Sequence, residues 1–283
     1  MSELNSPHTW TIGCVRFLNS RPLIDGLDVQ DDIHVRFDVP SRLVGELLAG
    51  QTDVALCPVI DYQLAEEPLR VVPVGGIACD GPTHTVRLFS RCPIDDVRIV
   101  HADTDSHTSV NLMRIILHDQ YGLTPQVVSY DADAHDTTAA DAPQTMLLIG
   151  DKVENACPSS QDYPHQLDLG SAWKRMTGLP FVFAVWMTRM ETDLGDLPQR
   201  MAAQREANRS RTEELARMFA PRVNLPIPLA VRYLGELLRY ETAQPQLEAM
   251  QQFWSRAYKL GLISQLRPMV LYEGRAIDQG VQH

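Results

Sequence analysis

Short apolar segments on either side of a helical pattern constrain the fold of this chain more than any other feature. Residues 33–39 alternate apolar and polar side chains, as in a half-buried strand, and residues 53–59 form the continuous apolar run of a buried strand. Between them, residues 43–48 carry an apolar stripe with helical spacing that ends at Gly50. A strand, a helix and a strand in succession predict a parallel sheet.

The stretch over residues 12–23 predicts where a ligand would bind. A β-branched run is followed by the polar step Asn19-Ser20-Arg21 and then by Pro22, which favours the first turn of a helix. In open α/β sheets, ligands bind beyond the carboxyl ends of the strands. From the residues alone, two interpretations of Asn19 stand: it caps the helix that Pro22 begins, or it faces a ligand.

Two other polar clusters also follow predicted strands. One lies at the start of a predicted helix and consists of Ser106, His107, Thr108 and Ser109. Its hydroxyls lie next to free backbone N–H groups, so they form either a binding site for a carboxylate or ordinary helix caps. The other is Gly150-Asp151, which ends the buried strand 145–149. There the Asp151 carboxylate would accept a hydrogen bond from a ligand hydroxyl or hold a neighbouring loop.

The length of 283 residues suits two modest lobes. Residues 81–90 turn at Gly-Pro and then run extended, which predicts a strand that leaves the first lobe, and residues 181–188 predict a strand that returns to it. We therefore expect a discontinuous first lobe at 1–88 plus 190–283 and a second α/β lobe at 89–189. The first lobe is expected to end in helices over residues 197–219, 229–240 and 246–260, which prolines separate. Two such lobes with crossing strands and a ligand cleft between them are the layout of the type II periplasmic-binding-protein fold.

Composition excludes several classes of partner. The net charge of −11 and the pI near 5.2 argue against a nucleic-acid partner, because backbone binding needs a basic face. No run approaches the roughly 18 apolar residues of a membrane span, and residues 1–10 lack an apolar signal region, so we expect a cytoplasmic protein with no membrane partner. The five cysteines are widely spaced, and no Cys-x-x-Cys or His-x-x-x-His pair is present to hold a metal. We expect buried free thiols.

Five segments carry a family resemblance. They are Leu18-Asn19-Ser20-Arg21-Pro22-Leu23, the Gly-Pro-Thr-His-Thr-Val-Arg-Leu-Phe-Ser segment at 81–90, Ser106-His107-Thr108-Ser109-Val110, Leu148-Ile149-Gly150-Asp151, and the long block 167–186. Together they resemble the chorismate dehydratase family of the futalosine route to menaquinone. Thr85 stands where that family usually has Ser, which keeps the hydroxyl and adds a methyl at a position facing substrate. The aromatic residues of the long block are expected in the core, with Trp186 the candidate for a pocket wall.

The resemblance implies the type II periplasmic-binding-protein fold and dehydration of chorismate to 3-[(1-carboxyvinyl)oxy]benzoate without cofactor or metal. It implies Asn19 as the central catalytic residue. The substrate-binding residues that it implies are Ser20, Thr85, Ser106, Thr108, Ser109, Gly150 and Asp151. The proton acceptor stays open among Asp151, His84, His107 and a carboxylate of the substrate.

Two alternatives from other functional classes remain. One is a non-catalytic binding protein of the same fold that holds a small carboxylate in the cleft. The other is the sister pathway enzyme, 1,4-dihydroxy-6-naphthoate synthase, which opens with a different motif around its first loop. The match over residues 18–23 argues against the sister enzyme. A homodimer is compatible with the sequence.

Overall fold

The computed structural model describes residues 8–102, 106–131, 139, 141–150, 153 and 158–273. These residues build two β-sheets, and helices pack against both. One core cluster holds buried side chains from both sheets and from the carboxyl-terminal helices, so the two lobes share part of their apolar interior.

The first sheet has six strands in the order β11-β4-β10-β3-β1-β2. The strand β1 pairs in parallel with both β2 and β3, which confirms the parallel sheet predicted from the strand-helix-strand pattern. The strand β10 lies antiparallel between β3 and β4. The strand bounds are β1 Trp10–Cys14, β2 Ile33–Phe37, β3 Val54–Pro58, β4 Leu69–Cys79, β10 Phe181–Arg189 and β11 Leu238–Arg239.

The second sheet has five strands in the order β7-β6-β8-β5-β9. The strand β6 runs parallel to β7 and β8, whereas β5 runs antiparallel to β8 and β9. The strand bounds are β5 Val86–Ser90, β6 Ile99–Ala102, β7 Gln126–Ser129, β8 Thr145–Ile149 and β9 His165–Asp168.

The helices cover the sheets and complete the first lobe. Their bounds are α1 Arg21–Ile24, α2 Pro40–Leu48, α3 Asp61–Leu64, α4 His107–Tyr121, α5 Leu169–Thr177, α6 Leu197–Arg209, α7 Thr212–Phe219, α8 Ile227–Arg232 and α9 Gln244–Lys259. Short 3-10 turns occur at Leu18–Ser20, Ile94–Asp96 and Ala220–Val223, and a π-helical turn occurs at Tyr233–Leu237. Within the described residues, no helix is long and apolar enough to cross a membrane.

The chain crosses between the sheets twice, and Asp168 ties the two crossings together. The first crossing, at residues 80–85, is a bent loop rather than a continuous extended strand, because Gly81 and His84 both adopt positive φ. The Asp168 carboxylate caps α5 by accepting from the backbone N–H of Ser171 at 2.8 Å, and it also accepts from the N–H of His84 at 2.8 Å. The chain passes from the first sheet to the second between β4 and β5, and it returns to the first sheet between β9 and β10. The lobe boundaries at residues 88 and 189 stay predictions.

Gly170, in the first turn of α5, allows the two crossings to pack closely. A Cβ at this position would lie less than 3.0 Å from the carbonyl oxygen of Gly81 and from the Sγ of Cys79. Both neighbours belong to the first crossing or to the end of β4, and the carbonyl cannot move without moving the loop. A side chain at position 170 would therefore push the crossings apart.

An aromatic cluster fills the space beneath the crossings, as predicted for the long aromatic block. The rings of Trp173, Phe181 and Phe253 pack edge to face with centroid separations of 5.1 to 6.1 Å. Trp173 is fully buried, and its indole N–H donates to the carbonyl of Pro180 at 2.9 Å. The cluster joins α5, β10 and α9, so it holds the second crossing against the carboxyl-terminal helices.

Three of the four described thiols are buried and free as predicted, whereas Cys92 is free but only half-buried. Cys14, Cys57 and Cys79 are buried and free, Cys92 is half-buried and free, and Cys157 lies outside the described residues. Burial raises the pKa of Cys14 and of Cys79 to about 12. These two thiols are therefore protonated, apolar parts of the core near neutral pH.

Candidate functional site

A cavity of about 550 Å³ lies between the two sheets and collects most of the polar residues predicted for the site. Its walls are largely apolar and come from both lobes, with Val15, Leu56, Ile77 and Phe183 on the first sheet and Val86 and Ile149 on the second. Its main polar lining consists of Asn19, Thr85, Ser106, Thr108, Ser109 and Tyr233. A small number of polar groups on apolar walls is the usual make-up of a site for a small organic ligand.

Asn19 reaches the cavity because the loop after β1 is folded tightly. The 3-10 turn Leu18–Ser20 follows the strand directly, and the buried Ser20 hydroxyl lies 2.8 Å from the carbonyl oxygens of both Val15 and Phe17. Ser20 does not line the cavity; it shapes the loop that presents Asn19. The two neighbours therefore have different roles, with Asn19 facing the site and Ser20 supporting it from behind.

Asn19 and Thr85 meet across the cleft at the hydroxyl of Tyr233. The Asn19 Nδ2 donates to the Tyr233 hydroxyl oxygen at 3.4 Å, and the Thr85 Oγ1 donates to the same oxygen at 3.0 Å. Thr85 lies just before β5 of the second sheet, whereas Asn19 and Tyr233 belong to the first lobe. These bonds bring the predicted catalytic residue and the predicted crossing-segment hydroxyl to one point.

The Asn19 carbonyl oxygen is a buried acceptor that has no partner among the described residues. Its Oδ1 is closed to solvent in this conformation. Leaving a buried acceptor unsatisfied costs about 1–3 kcal/mol, so such a group calls for an explanation. Because Asn19 lines the cavity, a turn of its amide would bring Oδ1 to a ligand hydroxyl or N–H, which favours the ligand-facing interpretation of Asn19 over a helix cap. The structure also shows no side-chain cap at the start of α1.

The start of α4 brings the predicted hydroxyl cluster to the opposite wall. Ser106, Thr108 and Ser109 all line the cavity, and the Ser106 hydroxyl donates to the Ser109 Oγ at 2.9 Å. The Thr108 Oγ1 accepts from the backbone N–H of Ile60 at 3.3 Å, so it also attaches α4 to the first lobe. Hydroxyls beside the amino terminus of a 15-residue helix form a favourable environment for a carboxylate.

Gly150 lines the cavity through its backbone at the end of β8. It adopts a φ of 66°, and its N–H donates to the carbonyl of Thr85 at 2.7 Å. This bond couples the end of β8 to the segment that carries Thr85. Asp151, the next residue in the predicted set, lies outside the described residues.

The two candidate histidines do not line the described cavity. The His107 Nδ1 lies 2.8 Å from the Oδ1 of Asp61, whose side chain is almost fully buried in the first lobe. Burial raises the pKa of the Asp61 carboxyl, and the hydrogen bond and charge of His107 oppose that rise. His84 is half-buried in the first crossing and donates its backbone N–H to Asp168. The cavity wall formed by described residues thus includes neither histidine.

The sequence did not reveal two important cavity residues. Tyr233 lies in a helical apolar pattern and resembles an ordinary core residue, but a π-helical turn places its hydroxyl at the meeting point of the lobes. Phe183 lines the cavity, whereas Trp186, the predicted pocket wall, packs in the core of the first lobe with a relative exposure of 1%. The strand β10 is irregular here, with register shifts between Val182 and Ala184 and between Val185 and Met187, so strand alternation in the sequence does not predict which of its side chains face the cavity.

Solved structures of similar fold include binding proteins. The protein AF1704 from Archaeoglobus fulgidus superposes with a TM-score of 0.71 at 14% identity, covering 90% of this chain and 99% of that one. The periplasmic aliphatic sulphonate binding protein SsuA from Escherichia coli superposes with a TM-score of 0.65 at 18% identity, covering 98% of both chains. The two-lobed periplasmic-binding-protein fold predicted from the sequence is thus confirmed.

Sequence comparison is more specific. Residues 10–259 match the family model described as menaquinone biosynthesis. A chorismate dehydratase from Thermus thermophilus is 29% identical over 268 residues, which is 89% of this chain and 96% of that protein. Residues 10–259, the range that matches the family model, include every residue named above as lining the cavity. The chain therefore belongs to the menaquinone biosynthesis family.

Proposed function

We propose that this protein is a chorismate dehydratase that converts chorismate to 3-[(1-carboxyvinyl)oxy]benzoate. The observation that carries the proposal is the contact of Asn19, Thr85 and Tyr233 in the cavity, beside the unpartnered Asn19 Oδ1. The similarity to the Thermus thermophilus chorismate dehydratase supports the choice of substrate. The cavity volume of about 550 Å³ lies within the range of roughly 300–1,000 Å³ for small-molecule sites.

The reaction is an elimination of water that makes the ring aromatic. Chorismate carries a ring C–H next to the carbon that bears its hydroxyl, and this C–H is conjugated through a ring double bond with the ring carboxylate. Removal of that proton leaves an electron pair that delocalises toward the carboxylate. The pair then forms the new ring double bond as the hydroxyl leaves with a proton as water. No electron is gained or lost overall, and aromaticity drives the step.

The two walls of the cavity suit the two places where charge changes. Hydroxyls and backbone N–H groups at the start of α4 would hold the ring carboxylate, where negative charge grows during proton removal. In the first lobe, the Asn19 amide would donate an N–H of its Nδ2 to the departing oxygen, which stabilises the negative charge that this oxygen gains as the C–O bond breaks. Thr85 and Tyr233 would keep the Asn19 amide in that orientation. Fixed donors and acceptors of this kind lower the barrier because they need no rearrangement during the reaction.

The residues that line the cavity reduce the number of candidates for the proton acceptor. Because His84 and His107 do not line the described cavity, we propose a carboxylate as the acceptor, which leaves Asp151 and a carboxylate of the substrate. Asp151→Asn separates the two options. Loss of turnover with product binding retained would assign the proton to Asp151, and retained turnover would assign it to the substrate.

A cytoplasmic location is part of the proposal. The four described cysteines are free, and Cys92 is only half-buried, as is usual for proteins of a reducing compartment.

The test is to incubate purified protein with chorismate, without added cofactor, and to follow the products by chromatography with mass detection. We expect a product lighter than chorismate by one water, formed well above the spontaneous rate. Unchanged chorismate together with a thermal shift on its addition would indicate a binding protein. Unchanged chorismate without a thermal shift would point to another substrate, including that of the sister enzyme.

A further inference from the structure

Three arginines gather around two aromatic rings at the edge of the cavity. Arg222 lies in the turn after α7 and lines the cavity, with its Cζ 4.8 Å from the centroid of the Phe219 ring. The Cζ of Arg21 lies 4.3 Å from the same centroid. Arg21 and Arg16 also lie over the ring of Phe37, at 5.3 and 5.5 Å. The two rings therefore hold three guanidinium groups close together.

Within the described part of the chain, none of the three arginines of this cluster forms an ion pair, although the sequence contains 36 acidic and only 25 basic residues. Asp25, a nearby carboxylate, pairs with Arg211 at 3.0 Å instead. Burial lowers the pKa of Arg21 and the charge of Arg222 also lowers it, while the carboxylates of Asp25 and Asp28 raise it from a greater distance than an ion pair. Like charges held together repel, so an anion from solution would be stabilised beside them.

Arg222 is also the one charged residue among the described residues that line the cavity, and it belongs to the first lobe. The hydroxyls of Ser106 and Ser109 at the start of α4 line the same cavity from the second lobe. The rest of the described lining is mainly apolar. The cavity thus offers one region for a negative group from each lobe, together with apolar walls for a ring.

We propose that Arg222, supported by Arg21, binds the second carboxylate of a dicarboxylate ligand while the first lies against the start of α4. The inference rests on the proposed function and adds to it a residue that selects dicarboxylates over monocarboxylates. A guanidinium can bind a carboxylate through two parallel hydrogen bonds, which fixes orientation as well as charge. Arg222 is then a specificity-determining residue at the edge of the site, and its loss weakens binding more than it slows the chemical step.

The test compares binding of two ligands that differ in one carboxylate. The dicarboxylate is 3-[(1-carboxyvinyl)oxy]benzoate and the monocarboxylate is 3-(vinyloxy)benzoate, each titrated calorimetrically into wild type, Arg222→Met and Arg222→Lys. Arg217→Met is the matched control, because Arg217 is an exposed arginine of α7 that pairs with Glu213 and does not line the cavity.

We expect Arg222→Met to bind the dicarboxylate about tenfold more weakly, as for one solvent-accessible charged contact, and to bind the monocarboxylate within about twofold of wild type. Arg222→Lys should fall between, and Arg217→Met should match wild type for both ligands. Added salt should weaken dicarboxylate binding more in wild type than in Arg222→Met.

Three results would overturn the inference: unchanged dicarboxylate binding in Arg222→Met, an equal loss for both ligands, or wild type that does not bind the dicarboxylate. The dehydration assay reports separately on the proposed function. If chorismate is not dehydrated but the arginine effect appears, the proposed reaction fails alone. If chorismate is dehydrated without the arginine effect, this inference fails alone.

Discussion

Removal of one hydroxyl tests whether the contact across the cleft serves catalysis. The Tyr233 ring is 2% exposed and packs in the core of the first lobe, so Tyr233→Phe preserves the packing. Its hydroxyl oxygen accepts from the Asn19 Nδ2 at 3.4 Å and from the Thr85 Oγ1 at 3.0 Å. The substitution therefore deletes at least these two neutral hydrogen bonds and frees both donor side chains to rotate.

The magnitude follows from those two bonds. Each neutral hydrogen bond contributes about 1 kcal/mol, so about 2 kcal/mol of orientation is lost at the transition state. That corresponds to a fall in kcat/KM of roughly 30-fold. The loss in free energy of unfolding should be smaller, about 1 kcal/mol, because a water molecule that enters the cavity can replace the lost acceptor.

Tyr240→Phe is the matched control for this prediction. Tyr240 lies seven positions further along the same segment, and its buried hydroxyl has no hydrogen-bond partner among the described residues. Its removal deletes no bond, so turnover and stability should match or exceed those of wild type. Steady-state kinetics with chorismate and denaturant unfolding measure both variants. A Tyr233→Phe enzyme within about threefold of wild-type kcat/KM would refute the reasoning.

Two further changes test the fold around the site. Gly170→Ala should lower the free energy of unfolding by about 1–3 kcal/mol, because the added Cβ would meet the carbonyl of Gly81. The control is Gly45→Ala, whose added Cβ faces open space and should not destabilise the protein. Equal denaturation midpoints for the two variants would contradict this prediction. Asp61→Asn should change how stability varies with pH. Burial raises the pKa of Asp61 in the folded protein above its value in the unfolded chain. Wild type therefore loses stability as the pH rises from the unfolded-state pKa through the folded-state pKa, and the neutral variant does not. Unfolding measurements that show the same pH dependence for both proteins would contradict this prediction.

Local patterns were sufficient to predict the first sheet and part of the site. Alternation and helical spacing are properties of neighbouring residues, so the parallel strands around β1 follow from the sequence directly. Asn19 could be placed beyond the end of β1 for the same reason. That the residue lines the cavity follows only from the structure, where Ser20 holds the loop.

The carboxyl-terminal part shows why the rest could not be predicted. The apolar pattern over residues 229–240 predicts one helix, but the structure has α8, then a π-helical turn, and then the two-residue strand β11 paired with β4. Pairing with a distant strand outweighs local helical spacing there. The predicted helix over residues 197–219 is likewise broken into α6 and α7. Contacts such as those of Tyr233 with Asn19 and of Arg21 with Phe219 join segments that are distant in sequence, so no local pattern records them.

The central claim is that Asn19 carries the dehydration of chorismate in this cavity. The most direct measurement is the kcat of wild type and of Asn19→Ala on chorismate, with binding of 3-[(1-carboxyvinyl)oxy]benzoate measured in parallel as a test of cavity integrity. The account predicts a fall in kcat of at least about 100-fold, as for the loss of one preorganised polar group, with product binding within about fivefold of wild type. An Asn19→Ala protein that binds product normally and keeps near-normal turnover would contradict the account.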